Sequence, residues 1–353
     1  MREVVLEAVF GEDKEKAREE IKKTARQKGI FLSSTQKLYE KMVGGDCGGF
    51  TVPAFNIRAL TFDVSRALFR AVKKEKVGAF IVELANSEMA YTDQSPEEYV
   101  SCLLGAALKE EFKGPLFIQG DHFKPNSGDL EDLIRKSIKA GFYNIDIDCS
   151  ALPMKDNFTQ TAYFTNFIRQ IEPKDLIISV GGEIGEIGSE NTTLEELEDF
   201  IAGYKKELSR YGNIKEIIKV AIQTGTSHGK GGETDFELLF SLSEKTKEYG
   251  LAGVVQHGAS TLSEDQFKKF PGAGAVEIHL ATEFQNIIFD SDYLSQELKE
   301  KVTKKTLGNF KKEIWNIPQK NIDKICQELE EKFVFFFRAL NVSGTSDLIK
   351  EIY

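Results

Sequence analysis

From Phe50 to about residue 285 the chain alternates short apolar runs with longer amphipathic stretches, separated by polar or glycine-containing turns. The apolar runs are 50–55 (FTVPAF), 78–84 (GAFIVEL), 115–120 (PLFIQG), 143–148 (YNIDID), 176–182 (LIISVGG), 217–223 (IIKVAIQ), 252–256 (AGVVQ) and 275–280 (AVEIHL). Between them, segments such as 61–76, 96–112, 129–140, 194–210, 235–249 and 263–270 read as helices. Near-continuous apolar strands alternating with helices predict an α/β fold with a parallel sheet covered on its faces. Eight such units predict a (β/α)8 TIM barrel. A doubly wound open sheet is the alternative, but it usually carries a glycine fingerprint after its first strand, and VPAFNIRAL (52–60) has none.

The flanks read differently. Residues 1–32 hold a short apolar run, Val4 to Phe10, and a highly charged helix-like stretch, Asp13 to Lys28, an N-terminal extension without candidate chemistry. In SSTQKLYEKMV (33–43) serines offer N-caps and Leu38 and Met42 share a helical face, so a short helix is expected before the first barrel strand, broken by Gly44, Gly45, Gly48 and Gly49. The barrel domain is expected over 33–290 and a helical C-terminal extension over 291–353, with helix-like stretches from Lys299 to Lys312 and Ile322 to Phe337. The run Phe333-Val334-Phe335-Phe336-Phe337 is expected in core packing or a subunit contact.

Composition narrows the function classes. A net charge of −10 argues against nucleic acid or an anionic membrane as main partner, so an anionic substrate has to be held by local dipoles and a few cations. The four cysteines, Cys47, Cys102, Cys149 and Cys326, form no CxxC pair or disulfide framework. The N-terminus lacks the apolar core of a signal peptide, and no run reaches the roughly 18 apolar residues of a membrane span. A cytoplasmic location is expected.

Candidate chemistry gathers at the ends of the predicted strands, the face on which barrels of this kind carry their active sites. Asn56, Asn86 and Ser87 follow the first two strands, Asp121 and His122 end the third, Asp148 the fourth and Glu183 the fifth. The four histidines of the chain, His122, His228, His257 and His279, all lie at or near ends of apolar runs. His122, His228 and His257 with Glu183 make a plausible divalent-metal set, and zinc suits that mixture of imidazole and carboxylate. In GTSHGKGGETDF (225–236) and HGASTLSED (257–265), glycines and small hydroxyl residues precede predicted helices, where exposed N–H groups can hold phosphate. Gly258, Ala259 and Ser260, with the turn at Ala281 and Thr282, occupy the loops that usually do so in barrels.

VPAFNI, QGDHF, AGFYNIDIDCSALP, GGEIGEIGSEN, GTSHGKGGETDF, QHGAS and LATEF occur in the order and approximate spacing of the class II, metal-dependent fructose-bisphosphate and tagatose-bisphosphate aldolases, and residues 33–290 resemble that family. The resemblance implies a reversible cleavage of a ketose bisphosphate into dihydroxyacetone phosphate and an aldehyde. Fructose 1,6-bisphosphate, giving glyceraldehyde 3-phosphate, is the first expectation and a tagatose bisphosphate the alternative. It implies a Zn2+ or similar divalent ion on His122, His228 and His257, with Glu183 able to approach it. Asp121 matches the acid/base for the C4 hydroxyl, and Asp148 an acid sometimes associated with a second, monovalent cation. Gly229, Gly258, Ser260 and Thr282 match phosphate positions, and Asn56 is expected beside the substrate. The family's proton donor comes from the loop after the fifth strand, where Glu190 is the candidate and Glu186 the reserve. Members are generally homo-oligomers, so a dimer or tetramer is expected.

Departures from the family pattern concentrate around the substrate. The loop reads Gly188-Ser189-Glu190-Asn191, with an amide where an acid is usual, and His257-Gly258-Ala259-Ser260-Thr261 adds two side chains to a glycine-rich block. His279 replaces an asparagine that contacts the dihydroxyacetone phosphate portion, Ala151 stands where many members have histidine, and Ala85 often corresponds to serine. His279 is therefore expected to face the ligand beside the phosphate turn, where an imidazole can become cationic. Two other classes fit the residues less well. A non-catalytic binding or stabilising subunit has little use for Asp121 beside three potential ligands, and an amidohydrolase-like barrel usually begins with a His-x-His that VPAFN lacks.

Overall fold

The computed structural model describes residues 1–353 apart from 126–127, 186–189, 226–232, 260–261 and 304. Among the described residues, nine strands form one parallel sheet: β1 (Ile30–Ser33), β2 (Val52–Asn56), β3 (Ile81–Ala85), β4 (Gly114–Phe123), β5 (Asn144–Ile147), β6 (Ser179–Glu183), β7 (Lys219–Ile222), β8 (Gly253–Gln256) and β9 (Ala275–Leu280). Pairing of β2 with β9 and of β4 with β5 closes β2 to β9 into an eight-stranded barrel, with helices between successive strands. Each of the eight strands overlaps an apolar run recognised in the sequence. Their length and β-rich composition suit strands buried on both faces, and most of their residues are buried.

The ninth strand was not legible. β1 pairs with the first half of β4, from Ile30 against Gly114 to Ser33 against Phe117, whereas β5 takes the second half of β4 from Gln119 onward. A four-residue strand with an inside–outside burial pattern is too short to stand out from its charged surroundings. It leads into the expected short helix, Gln36–Val43, which covers the N-terminal mouth of the barrel. There Thr35 donates through its backbone N–H and hydroxyl to Asn144 Oδ1 at 2.7 and 2.9 Å, and Tyr353 donates its hydroxyl to the Ser34 carbonyl at 2.6 Å.

The extensions share the barrel's core. At the N-terminus, helices Arg2–Phe10 and Lys14–Gln27 bury Val5, Ala8, Ile21 and Ala25. Val5 fits because residue 105 is glycine: a Cβ there would come within 2.4 Å of the valine side chain. At the other end, helix Gln319–Ala339 presents its phenylalanines to the outside of β2, and Phe55 has Phe333 at 5.0 Å and Phe284 and Phe337 at 5.6 Å between ring centroids. Within the phenylalanine run Phe335 is half-buried, whereas Phe333, Phe336 and Phe337 are thus core packing. Each such ring contributes roughly 1.5–3 kcal/mol by leaving water.

Candidate active site

Period-two alternation sends every second residue of a barrel strand into the lumen. Asp121 and His122 are consecutive, yet both serve the same space, with His122 Nε2 3.8 Å from Asp121 Oδ2. A local irregularity explains this. The register with β5 slips between Gly120 and Phe123, and His122 takes the left-handed φ of 47°. A non-glycine residue in that region is strained, and such strain gathers at functional sites where surrounding contacts hold it.

Those contacts are carboxylates. His122 Nδ1 lies 2.7 Å from Asp148 Oδ2 and 3.1 Å from Glu183 Oε2. Asp148 also has Lys124 Nζ at 2.9 Å, and it accepts from the Ser150 hydroxyl at 2.6 Å and backbone N–H at 3.1 Å. Expected as the seat of a second cation, Asp148 thus has the Lys124 ammonium beside it. Burial alone would raise its carboxyl, but His122, Lys124 and Ser150 hold it well below the usual range. Glu183 behaves oppositely: burial pushes it up to about 7 against the pull of His122. Its backbone is fixed by Asn157, whose amide donates to the Glu183 carbonyl at 2.9 Å.

His257 follows β8 and is buried, with its ring centroid 4.7 Å from that of His122. His122, Glu183 and His257 each offer a ligand atom, and these atoms lie within 4.8 Å of one another. Two imidazoles and a carboxylate at that spacing fit a divalent ion of the zinc type. His228, the expected third imidazole, lies outside the described residues, as do Gly229, Ser260 and Glu186.

Below this layer the lumen is charged, which the sequence reading missed. Lys219 of β7 is fully buried and places Nζ 2.6 Å from Glu277 Oε1, 2.8 Å from Gln119 Oε1 and 3.0 Å from Asp146 Oδ2. Glu277 further accepts from Gln119 Nε2 at 2.8 Å and from the Tyr39 hydroxyl, which reaches in from the capping helix. Gly181 makes the room: a Cβ there would meet Asp146 Oδ1 at 2.4 Å and Lys219 Cε at 3.1 Å. Burial would lower the Lys219 ammonium, but Asp146 and Glu277 more than restore it. Burial also pushes Asp146 up to about 6 and Glu83 to about 8. The signal was present as a charged residue two places before a strand-end residue in ELA, DID and EIH, because residues i and i+2 face the same way.

His279 belongs to this network. Expected to face the ligand beside the phosphate turn, it is 5% exposed and lies among carboxylates. Nε2 is 2.8 Å from Glu277 Oε1, and Nδ1 is 3.1 Å from Glu83 Oε2 and 3.3 Å from Asp121 Oδ1. Its strand position brings it into the lumen one residue pair above Glu277, rather than out into the loop that carries Thr282.

The remaining expected residues spread around the rim. Asn56 is buried with both amide ends engaged, donating to Glu88 Oε2 at 2.6 Å and accepting from Arg58 Nε at 3.1 Å. Arg58 itself pairs with Glu88 at 2.5 Å and donates to Gln285 at 3.3 Å, a cationic corner not anticipated from the sequence. Thr282 starts helix Thr282–Asp290 after β9, and Gly258 follows His257 with φ of 68°. Glu190 is exposed on the loop after β6. That loop is tied to the end of β7 where Thr192 N–H donates to the Gln223 carbonyl and Gln223 N–H to the Thr192 hydroxyl, each at 2.9 Å.

A family model described as fructose-bisphosphate aldolase class-II matches residues 36–341. The chain belongs to this family. This aldolase is accordingly a lyase of carbon–carbon bonds, in a family that is typically metal-dependent. Solved structures similar to it include the YdjI aldolase from Escherichia coli K12, at 15% identity and a TM-score of 0.63 over 90% of this chain and 100% of that one. A fructose-bisphosphate aldolase from Campylobacter jejuni is 17% identical with a TM-score of 0.64, over 89% of this aldolase and 96% of that chain. A putative fructose-1,6-biphosphate aldolase from Coccidioides immitis is 18% identical with a TM-score of 0.61, over 88% and 97%. At these identities the structural likeness speaks for the barrel, and the family assignment rests on the sequence-family match.

Proposed function

We propose that this aldolase reversibly cleaves a ketose 1,6-bisphosphate, fructose 1,6-bisphosphate before its tagatose epimer, to dihydroxyacetone phosphate and glyceraldehyde 3-phosphate. The observation that carries the reading is the placement of Asp121 beside the His122, Glu183 and His257 set at one end of the barrel. His122, His257 and His228 would hold Zn2+, with Glu183 as an exchangeable neighbour. Bound there, the ion supplies a Lewis acid for the ketone and the adjacent hydroxyl oxygen.

The chain's own groups move the protons. Burial would raise the Asp121 carboxyl, but His122, His279 and His257 hold it well below its ordinary value, so it enters the reaction as an anion. It accepts the proton of the C4 hydroxyl as the bond between C3 and C4 breaks, leaving the electron pair on C3. Glu190, on the loop after β6, is assigned the return of a proton to C3. Gly229, Gly258, Ser260 and Thr282 would bind phosphate through N–H and hydroxyl groups beside helix starts, and Asn56 would line the substrate. We extend the reading to a cytoplasmic homo-oligomer.

The test is a cleavage assay with added divalent ions over fructose and tagatose bisphosphates, read as released triose phosphate. Asp121→Asn should keep metal and substrate affinity while turnover falls by about two orders of magnitude or more. Triose phosphate released from neither sugar would overturn the substrate assignment, and full turnover in Asp121→Asn would reassign the base.

A further inference from the structure

We propose that His279 is a positioning residue for Asp121: an imidazole clamped from below that orients the proton-accepting carboxylate, rather than a group that touches substrate. The proposal rests on the reading of Asp121 as proton acceptor.

Asp121 is buried, and its two oxygens face different ways. Oδ2 looks toward His122 Nε2 at 3.8 Å, and Oδ1 toward His279 Nδ1 at 3.3 Å. The imidazole is turned so that Nδ1 divides its approach between Asp121 and Glu83 without aligning fully with either. A carboxylate on a short side chain has two torsions to fix, and a nitrogen facing one oxygen selects which oxygen points at the substrate. This is geometric work on Asp121.

The imidazole can do it because it is itself held. Nε2 lies 2.8 Å from Glu277 Oε1, and Glu277 is gripped by Lys219, Gln119 and Tyr39, from β7, β4 and the helix that caps the barrel mouth. One face of the ring packs on His257, with centroids 4.1 Å apart at 43°. Glu83, Asp121, Glu277, Gln119 and Lys219 come from strands and Tyr39 from the capping helix, so the chain Lys219–Glu277–His279–Asp121 transmits the position of the lumen to the reacting group. Held groups of this kind matter because a displacement of about 1 Å can cost about a hundredfold in rate.

The experiment separates base positioning from substrate binding by using two half-reactions. Cleavage of the ketose bisphosphate needs Asp121. Exchange of a hydroxymethyl proton of dihydroxyacetone phosphate with deuterated solvent needs the ion site and the C3 proton donor but not the C4 base. Metal-loaded His279→Phe and His279→Gln would be compared with the parent enzyme, with metal content checked in each. The expected result is a fall of about 10- to 100-fold in cleavage kcat for His279→Phe. KM, metal content and proton exchange should stay within about threefold, and His279→Gln, which keeps an N–H donor, should recover part of the loss. In a crystal structure of whichever variant folds, the Asp121 carboxylate should be rotated from its parent orientation. Cleavage and exchange falling together would give His279 a direct role toward the triose portion and overturn the proposal. An unmoved Asp121 with unchanged cleavage would overturn it as well. Asp121→Asn run in the same assays distinguishes the underlying reading: if that variant cleaves normally, the assignment of the base fails whatever His279 does.

Discussion

His122 Nδ1 lies 2.7 Å from Asp148 Oδ2, which leaves Nε2 as the nitrogen that would serve the proposed ion. A carboxylate on Nδ1 keeps the proton there, turns Nε2 into the ligand atom and makes it more basic. Asp148 is in turn fixed by Lys124 and Ser150. The expected consequence is that Asp148→Asn binds zinc about 10- to 100-fold more weakly while remaining folded. Competition with a chromophoric chelator measures it, and unchanged affinity would show that Asp148 does not support the ligand.

His257 should matter more, being proposed as a ligand itself. His257→Ala is expected to fold, because its ring sits at a strand end over a polar layer, and to lose metal when dialysed against the parent protein's working zinc concentration. Full occupancy by elemental analysis would remove His257 from the set.

Lys219 is fully buried. It lies between Glu277 and Asp146 in the lumen, and replacing it by methionine removes the ammonium that both carboxylates share. Breaking one partner out of a buried ion pair costs about 3–5 kcal/mol. Lys219→Met should unfold at correspondingly lower urea, and the double variant Lys219→Met with Glu277→Gln should regain part of the loss. A single variant as stable as the parent would contradict the accounting.

The lumen also sets a pH dependence for the metal-free protein. Burial holds Glu83 protonated up to about pH 8 in the folded chain, against an ordinary value of 4.5. His279, facing Glu83, Asp121, Glu277 and Asp146, keeps its proton well above its ordinary 6.5 despite burial. In both cases the folded chain binds more protons than the unfolded one, so stability falls as pH rises from about 5 through 8. Asp121 and Glu277 are shifted downward, and their contribution is lost only as pH falls below the ordinary carboxylate range. Thermal midpoints measured in chelator should be lower at pH 8.5 than at 5.5, and a rising curve would refute the assignment.

Thiol chemistry offers a simple check on the packing. Cys102, Cys149 and Cys326 are buried and Cys47 is half-buried on the turn before β2. Burial pushes Cys149 and Cys326 to about 12 and Cys102 well above its ordinary value. In native buffer one thiol per chain should react readily with a disulfide reagent, and Cys47→Ser should abolish that phase. Fast reaction of two or more would mean that the barrel opens.

The sequence by itself determined the barrel. Fully buried parallel strands need unbroken apolar runs, and IVELA, PLFIQG and VEIHL keep that signal whatever they pack against. It also placed the candidate residues, since strand ends are local facts: that Asp121, His122, Asp148, Glu183 and His257 lie at strand ends was legible from position alone. Only the tertiary structure decided which of them meet. Asp148 became the partner of His122 because a register slip beside β5 and a left-handed residue turned two consecutive side chains into one space. His279 lies in the lumen with Glu83, Gln119, Asp146, Lys219 and Glu277, which arrive there from five different strands. Distances between strands are set by barrel closure, and no local pattern records them. A charged residue inside an apolar run looks like an interruption until closure brings its counter-ion, some 58 residues on for Lys219 and Glu277, to within 2.6 Å.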